Sequence, residues 1–211
     1  MRVVIAPDSF KECLAAADVC RAVADGWRSV YPDAELDLVP MADGGEGTVD
    51  ALVAATGGEK RSRVVTCPLG DPVEAVYGIL PAVWSSQGIA VIEMASASGL
   101  ALVPPERRDP LATTTLGTGE LIRDALDRGA TTIIVGIGGS ATNDGGAGMA
   151  QALGYSLLDA NGLELPPGGA ALARLAHIET SGKHPGLARF AVPVACEVQY
   201  PQCGPAGATR M

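Results

Sequence analysis

Apolar runs, glycine-rich turns and amphipathic stretches alternate along the chain. Short β-branched runs of this kind are typical of buried parallel strands. We predict such strands at "RVVIA" (2–6), "LDLVP" (36–40), "IAVIEMA" (89–95), "TTIIVGIGG" (131–139) and "FAVPVACEV" (190–198). Helical spacing of apolar residues predicts helices over 12–30, 46–56 and 117–129, and a fourth that ends near Leu153. Strands and helices in this alternation predict an α/β fold.

One pair of strands differs from the others. Residues 61–67 and 73–80 alternate apolar and polar positions more clearly, and "PLGDP" separates them. We therefore predict an antiparallel hairpin there. In the helix over 117–129 we expect Thr118 to be the N-cap and Gly129 to close the last turn.

Composition and charge narrow the classes of protein. The 211 residues are 47% hydrophobic and 18% charged, which is enough for a folded core. A net charge of −9 and an aromatic content of 4% argue against a nucleic-acid partner. The sequence contains no run of 18 apolar residues and no signal-peptide core, so we expect no membrane partner. The five cysteines fit no metal spacing, so we expect reduced thiols and a cytoplasmic protein.

Three turns rich in glycine or hydroxyl residues each follow a predicted strand: "APDSFKE" (6–12), "MADGGEGT" (41–48) and "GIGGSATNDGG" (136–146). Ligands of open α/β sheets bind at the carboxyl ends of parallel strands, so we expect these turns to line one crevice. Glycines allow backbone amides to approach anionic oxygens closely, and a following helix N-terminus favours negative charge. The alternative is a set of tight turns and helix caps without a ligand.

The turns and one strand supply the candidate site residues. A carboxylate inside an apolar run is costly unless it is paired, so Glu93 is a candidate, and Ser96 follows it. The other candidates, which lie in the turns, are Ser9, Lys11, Asp43, Gly44, Gly45, Glu46, Gly138, Gly139, Ser140, Thr142 and Asp144.

A dinucleotide fingerprint is a second interpretation of the third turn. Gly136, Gly138 and Ala141 follow a strand in the G-x-G-x-x-A pattern, and Asp159 lies downstream. This pattern would indicate a nicotinamide-dependent oxidoreductase. It leaves the other two turns unexplained.

Five motifs resemble the type I glycerate kinase family in order and spacing: "VIAPDSFKE", "PMADGGEGTVDALVAATGG", "AVIEMASASGLALVPPERRDPL", "TTTLGTGELIRDAL" and "IIVGIGGSATNDGGAGMAQALG". The resemblance runs from residue 1 to about residue 208. It implies transfer of the γ-phosphoryl group of ATP to D-glycerate, at the 2-hydroxyl, with Mg²⁺. It also implies two α/β domains with mainly parallel sheets, the first Rossmann-like and incomplete in this chain. We place that first domain at 1–66 and the second at 67–211.

The family's site motifs fall on the turn residues named above, and the chemistry of phosphoryl transfer suggests a role for each charged group. Lys11 would neutralise charge, and Asp43 or Asp144 would bind Mg²⁺ or orient the attacking hydroxyl, so these three are the expected catalytic residues. We expect Lys11→Ala and Asp144→Ala to abolish turnover without changing thermal melting. The partner would be a small molecule, and a homodimer is a possible assembly.

The chain departs from the family pattern near its last residues. It has "CEVQYP" where the family has C-D-V-D-N-P, so Glu197, Gln199 and Tyr200 replace two carboxylates and an amide. Family members continue beyond this point, so we expect a C-terminally truncated member. A catalytically inactive N-terminal fragment of a kinase is therefore an alternative to an active enzyme.

Overall fold

The computed structural model describes residues 1–10, 13–81, 88–195, 204 and 207. The helices lie at Ala16–Val30 (α1), Thr48–Thr56 (α2), Met94–Ser98 (α3), Leu116–Asp127 (α4) and Ala147–Ala152 (α5). The strands lie at Arg2–Ile5 (β1), Glu35–Leu38 (β2), Glu59–Thr66 (β3), Pro72–Leu80 (β4), Gly88–Glu93 (β5), Ala130–Gly136 (β6), Ser156–Leu158 (β7), His177–Glu179 (β8) and Val194–Ala195 (β9). None of the helices in these ranges is long and apolar enough to cross a membrane.

A five-stranded sheet in the order β3-β4-β5-β6-β9 is the centre of the structure. The hairpin of β3 and β4 is antiparallel, as predicted, and pairs Glu59 with Ile79 and Thr66 with Pro72 at its ends. β4 and β5 are also antiparallel, whereas β5, β6 and β9 run parallel. The α/β fold class is confirmed.

The core of this sheet is apolar and fully enclosed. Tyr77, Ile92, Leu121 and Ile133 all have 0% exposure, and they belong to one cluster that joins the sheet to α4. Val49 of α2 packs in a second cluster with strands β4 and β5. Helices on the sheet thus place the ends of β5 and β6 beside the start of α2.

A second sheet contains only β1 and β2, which are parallel. Ile5 of β1 packs against Cys20 and Ala24 of α1, which explains the apolar spacing of that helix. The division into domains at 1–66 and 67–211 stays a prediction; β3 pairs with β4 along its whole length.

Several element boundaries differ from the predicted ones. The strand predicted over 89–95 ends at Glu93, and α3 begins at the next residue. Thr118 is not an N-cap: it lies inside α4, where its hydroxyl contacts that of Ser98 at 2.8 Å, and Thr115 occupies the N-cap position. The short antiparallel pair β7–β8 was not predicted. Of the strand predicted over 190–198, Val194–Ala195 forms β9, and 196–198 lie outside the described residues.

A buried carboxylate joins the hairpin to α4. The side chain of Asp124 is 6% exposed and accepts hydrogen bonds from Arg63, from Arg128 Nε at 2.9 Å and from the Tyr77 hydroxyl at 2.6 Å. Burial raises the pKa of Asp124, but the hydrogen bonds from Tyr77 and Arg128 outweigh burial and hold the pKa below its ordinary value. Burial raises the pKa of Tyr77 to about 12, with a contribution from Asp124.

Asp124→Ala should destabilise the fold by about 2–3 kcal/mol at neutral pH, because it leaves a buried hydroxyl and two guanidinium groups without their acceptor. A carboxyl whose pKa is lower in the folded than in the unfolded state stabilises the protein above the unfolded pKa and loses that effect as pH falls through the folded one. The difference between variant and wild type should therefore shrink in acid. Urea unfolding at several pH values measures it. The control Asp127→Ala, on the same helix with a 59% exposed side chain, should change stability by at most about 1 kcal/mol.

Candidate active site

The second and third turns meet at their main chains. The amide of Gly138 donates to the carbonyl oxygen of Gly44 at 3.2 Å, and Gly136 ends β6 directly beneath this contact. A Cβ on Gly136 would lie 2.3 Å from the Gly44 oxygen, and one on Gly138 would lie 2.7 Å from the Cα of Gly45. These glycines therefore allow the main chains of two loops to pack directly against each other. This reason for glycine at positions 136 and 138 is apparent only from the tertiary structure.

Gly136→Ala should lower the free energy of unfolding by about 1–3 kcal/mol, since the added methyl group would force the two loops apart. Gly26 provides a control, because it lies in α1 with nothing within 4 Å of an added Cβ. Gly26→Ala should stabilise the protein by about 0.5–1 kcal/mol through helix propensity. Denaturant melts of the two variants measure both effects, and equal stability of Gly136→Ala and wild type would contradict the loop contact.

The first turn joins this assembly through the second. The carbonyl oxygen of Pro7 accepts from the amide of Met41 at 3.0 Å, so the turns that follow β1 and β2 lie side by side. Ser9 follows in the same turn, with its amide 2.6 Å from the Asp8 carboxylate. Lys11 lies outside the described residues.

The outer part of the third turn is presented to solvent. Gly139 has φ +70°, and its carbonyl oxygen accepts from the amide of Leu100 at 2.9 Å. Gly139 and Ser140 are exposed, and within the described residues their amides donate to no acceptor. The hydroxyl oxygen of Thr142 is buried and has no hydrogen-bond partner among the described residues. An anionic oxygen is the kind of group that such donors satisfy.

Asp144 holds the inner part of the same turn. It is 1% exposed and accepts from the Thr115 amide at 2.9 Å and from the Gly146 and Gly148 amides at 3.1 Å each. The Thr115 hydroxyl also lies 2.9 Å from the Asp144 carboxylate. These contacts are those of a carboxylate that positions a loop and caps α5. A direct role in catalysis or in metal binding stays a prediction.

Asp43 is the more accessible of the two aspartates. It is exposed, and one oxygen accepts from the Gly45 amide at 3.0 Å. Glu46 is also exposed in this loop. Across the described ranges, no three His, Cys, Asp or Glu side chains are grouped as a metal site. Mg²⁺ bound here would therefore depend on one carboxylate and on substrate phosphates, which is a usual arrangement for this ion.

The side chains of Glu93 and Ser96 are used within the fold. Glu93 Oε1 accepts from the Val49 amide at 2.6 Å, at the start of α2. Burial raises the pKa of Glu93 above its ordinary value, although hydrogen bonds from the Val49 and Gly47 amides oppose this. The Ser96 hydroxyl accepts from the Val76 amide of β4 at 2.8 Å.

The sequence model of the glycerate kinase family matches residues 3–211. The chain belongs to the glycerate kinase family. Glycerate 2-kinase of Escherichia coli (strain K12) is 56% identical over 100% of this chain and 54% of its own length. Glycerate kinase of Bacillus subtilis (strain 168) is 56% identical, with the same shares covered. A crystal structure of a candidate glycerate kinase 2 from Salmonella typhimurium LT2 has a TM-score of 0.85 and 53% identity over 99% of this chain and 55% of that chain.

The comparisons confirm the resemblance to the glycerate kinase family. The chain spans about half the length of the curated relatives it matches. The dinucleotide interpretation gains no support from the geometry. Gly136 and Gly138 face the second turn, and Asp159 accepts from the amides of Asn161 and Leu163 within its own turn.

Thr115, which was not among the candidate residues, joins three parts of the site. The Thr115 hydroxyl donates to Asp144 and accepts from the Met149 amide at 2.9 Å, so it joins α4, α5 and the third turn. Thr115 lies in the run "TTTLGTG" (113–119), where only Thr118 was interpreted from the sequence, as a helix N-cap. Which threonine faces a distant aspartate depends on tertiary contacts.

Proposed function

We propose that this chain takes part in transfer of the γ-phosphoryl group of ATP to the 2-hydroxyl of D-glycerate. Family membership supports the reaction, and the joined second and third turns support the location. The observation that carries the proposal is that Gly139 and Ser140 are exposed, with amides that have no acceptor among the described residues, beside the loop that contains Asp43. Phosphoryl transfer depends mainly on positioning and charge neutralisation, which backbone donors and one carboxylate can supply.

Each described group has a distinct proposed task. The Gly139 and Ser140 amides and the Thr142 hydroxyl would bind anionic oxygens of ATP or glycerate, and Ser9 lies in the adjoining first turn. Asp43 would hold Mg²⁺, which when bound neutralises phosphate charge. Asp144 would act by positioning, because the chain's own donors occupy its carboxylate.

Two charged groups are assigned from the motif. Lys11 would neutralise phosphate charge, an assignment that depends on the family motif because the residue lies outside the described ranges. Glu46 would contribute to binding from the second turn, where it is exposed to solvent.

An assay of ADP release with D-glycerate, ATP and Mg²⁺ tests this function. The chain is assayed alone and as a chimaera, in which it replaces the aligned segment of the Escherichia coli relative. We expect turnover in the chimaera. Turnover in the chimaera alone would support the inactive-fragment alternative for the separate chain, and absence of turnover in both would contradict the proposed function.

We also propose a cytoplasmic location. Cys13, Cys20 and Cys67 are free thiols, as expected in a reducing compartment. The homodimer stays a prediction, and sedimentation of the purified chain measures it.

A further inference from the structure

Glu93 lies where three parts of the site meet. It is the last residue of β5, and its main chain pairs with Gly136 at the end of β6. Its side chain extends in another direction, to the first turn of α2, where Oε1 accepts from the Val49 amide at 2.6 Å. One residue therefore contacts the strand ends and the helix that follows the second turn.

The start of α2 has few acceptors of its own. Its N-cap is Gly47, with φ +93° and no side chain to accept a hydrogen bond. The hydroxyl of Thr48 donates to the Gly45 carbonyl at 2.8 Å and so faces the preceding loop. First-turn amides of a helix need an external acceptor, and Glu93 supplies one from 44 residues away in sequence.

Within the described part of the chain, Glu93 has no cationic partner. None of the ion pairs among the described residues includes it, and the nearby charges are the carboxylates of Glu46 and Asp50. The partial positive charge at the N-terminus of α2 therefore compensates the negative charge of Glu93. A half-buried carboxylate among other acids is costly in solvation, so its place here needs a reason beyond packing.

We propose that Glu93 is a positioning residue that holds the first turn of α2, and with it the loop of residues 43–47, against the ends of β5 and β6. This rests on the proposed function and replaces the expectation that Glu93 binds a ligand itself. When the loop is held, Asp43 stays beside the third turn, and Gly44 keeps its contact with Gly138.

Amide hydrogen exchange of the 211-residue chain tests this placement without any need for turnover. Glu93→Ala should reduce the protection factor of the Val49 amide roughly tenfold or more, because a hydrogen bond to a charged acceptor is lost. Glu93→Gln keeps an acceptor oxygen and should recover most of this protection. The control Glu120→Ala removes a carboxylate that accepts from the Thr66 amide at 2.7 Å, outside the three turns, and should leave residues 43–49 unchanged.

Kinetic constants of the chimaera separate positioning from a purely structural role. Glu93→Ala should raise KM roughly tenfold, with recovery in Glu93→Gln, while Glu120→Ala should melt earlier at an unchanged KM. Unchanged protection of Val49, or lost protection with unchanged KM, would overturn the positioning role. If the wild-type chimaera shows no turnover, the proposed function is overturned. Lost protection of Val49 in Glu93→Ala would still support the placement of Glu93 in that case.

Discussion

Asp144→Ala is expected to lower the free energy of unfolding by about 3 kcal/mol and to abolish turnover of the chimaera. Its carboxylate is 1% exposed and is the common acceptor for the amides of Thr115, Gly146 and Gly148. Removing it leaves these three amides without their acceptor at a position that is 1% exposed. The third turn would then lose the contacts that fix its inner half, and the exposed amides at its tip would lose their orientation.

This expectation replaces the one made from sequence, in which Asp144→Ala left thermal melting unchanged. The free energy of unfolding of Asp144→Asn should lie between those of wild type and Asp144→Ala. Its amide oxygen can accept a hydrogen bond, but its NH₂ group faces other donors. Asp159→Ala is the matched control: Asp159 also accepts two backbone amides, at 2.8 and 3.0 Å, but within its own turn. It should leave both the denaturant melt and turnover close to those of the wild type. An Asp144→Ala protein with the same melting temperature as wild type would contradict the positioning role of Asp144.

Asp43→Ala should have a small effect on stability and a large effect on turnover. Asp43 is exposed and makes one hydrogen bond, to the Gly45 amide, so we expect stability to change by less than about 1 kcal/mol. Turnover should fall by roughly 100-fold or more, because Asp43 is the proposed Mg²⁺ ligand and its charge would no longer help to compensate the transition state. Steady-state rates of the chimaera at increasing Mg²⁺ concentration measure the loss. The rate of Asp43→Ala should depend less on Mg²⁺ concentration than the wild-type rate does.

The control for this variant is Asp33→Ala, which removes another exposed carboxylate, in the turn between α1 and β2. It should retain both wild-type stability and wild-type rate. Near-normal turnover in Asp43→Ala would remove Asp43 from the catalytic residues, and a large loss of stability would assign it a structural role instead.

Local patterns predicted the elements whose signal lies within a few residues. The hairpin of β3 and β4 follows from alternation around "PLGDP", and β6 follows from the β-branched run "TTIIV". Glu93 was selected as a candidate because a carboxylate in an apolar run needs a partner, and the structure shows such a partner. The identity of that partner, the amide of Val49, depends on how α2 packs on the sheet.

Contacts between distant segments were beyond the reach of such patterns. The glycines of the third turn were predicted to clear space for ligand oxygens, whereas Gly136 and Gly138 primarily accommodate the main chain of Gly44 and Gly45. The acceptor role of Asp144 towards Thr115 joins positions 29 residues apart. Spacing in the sequence is the same whether a side chain faces a ligand or another loop, so only the fold distinguishes the two.

We propose that the second and third turns form one ligand-binding surface. Amide hydrogen exchange of the chimaera, with and without ATP, Mg²⁺ and D-glycerate, tests it most directly. We expect the ligands to slow exchange in residues 43–47 and in residues 139–142 together. Protection confined to one of these loops, or located only elsewhere in the chain, would contradict it.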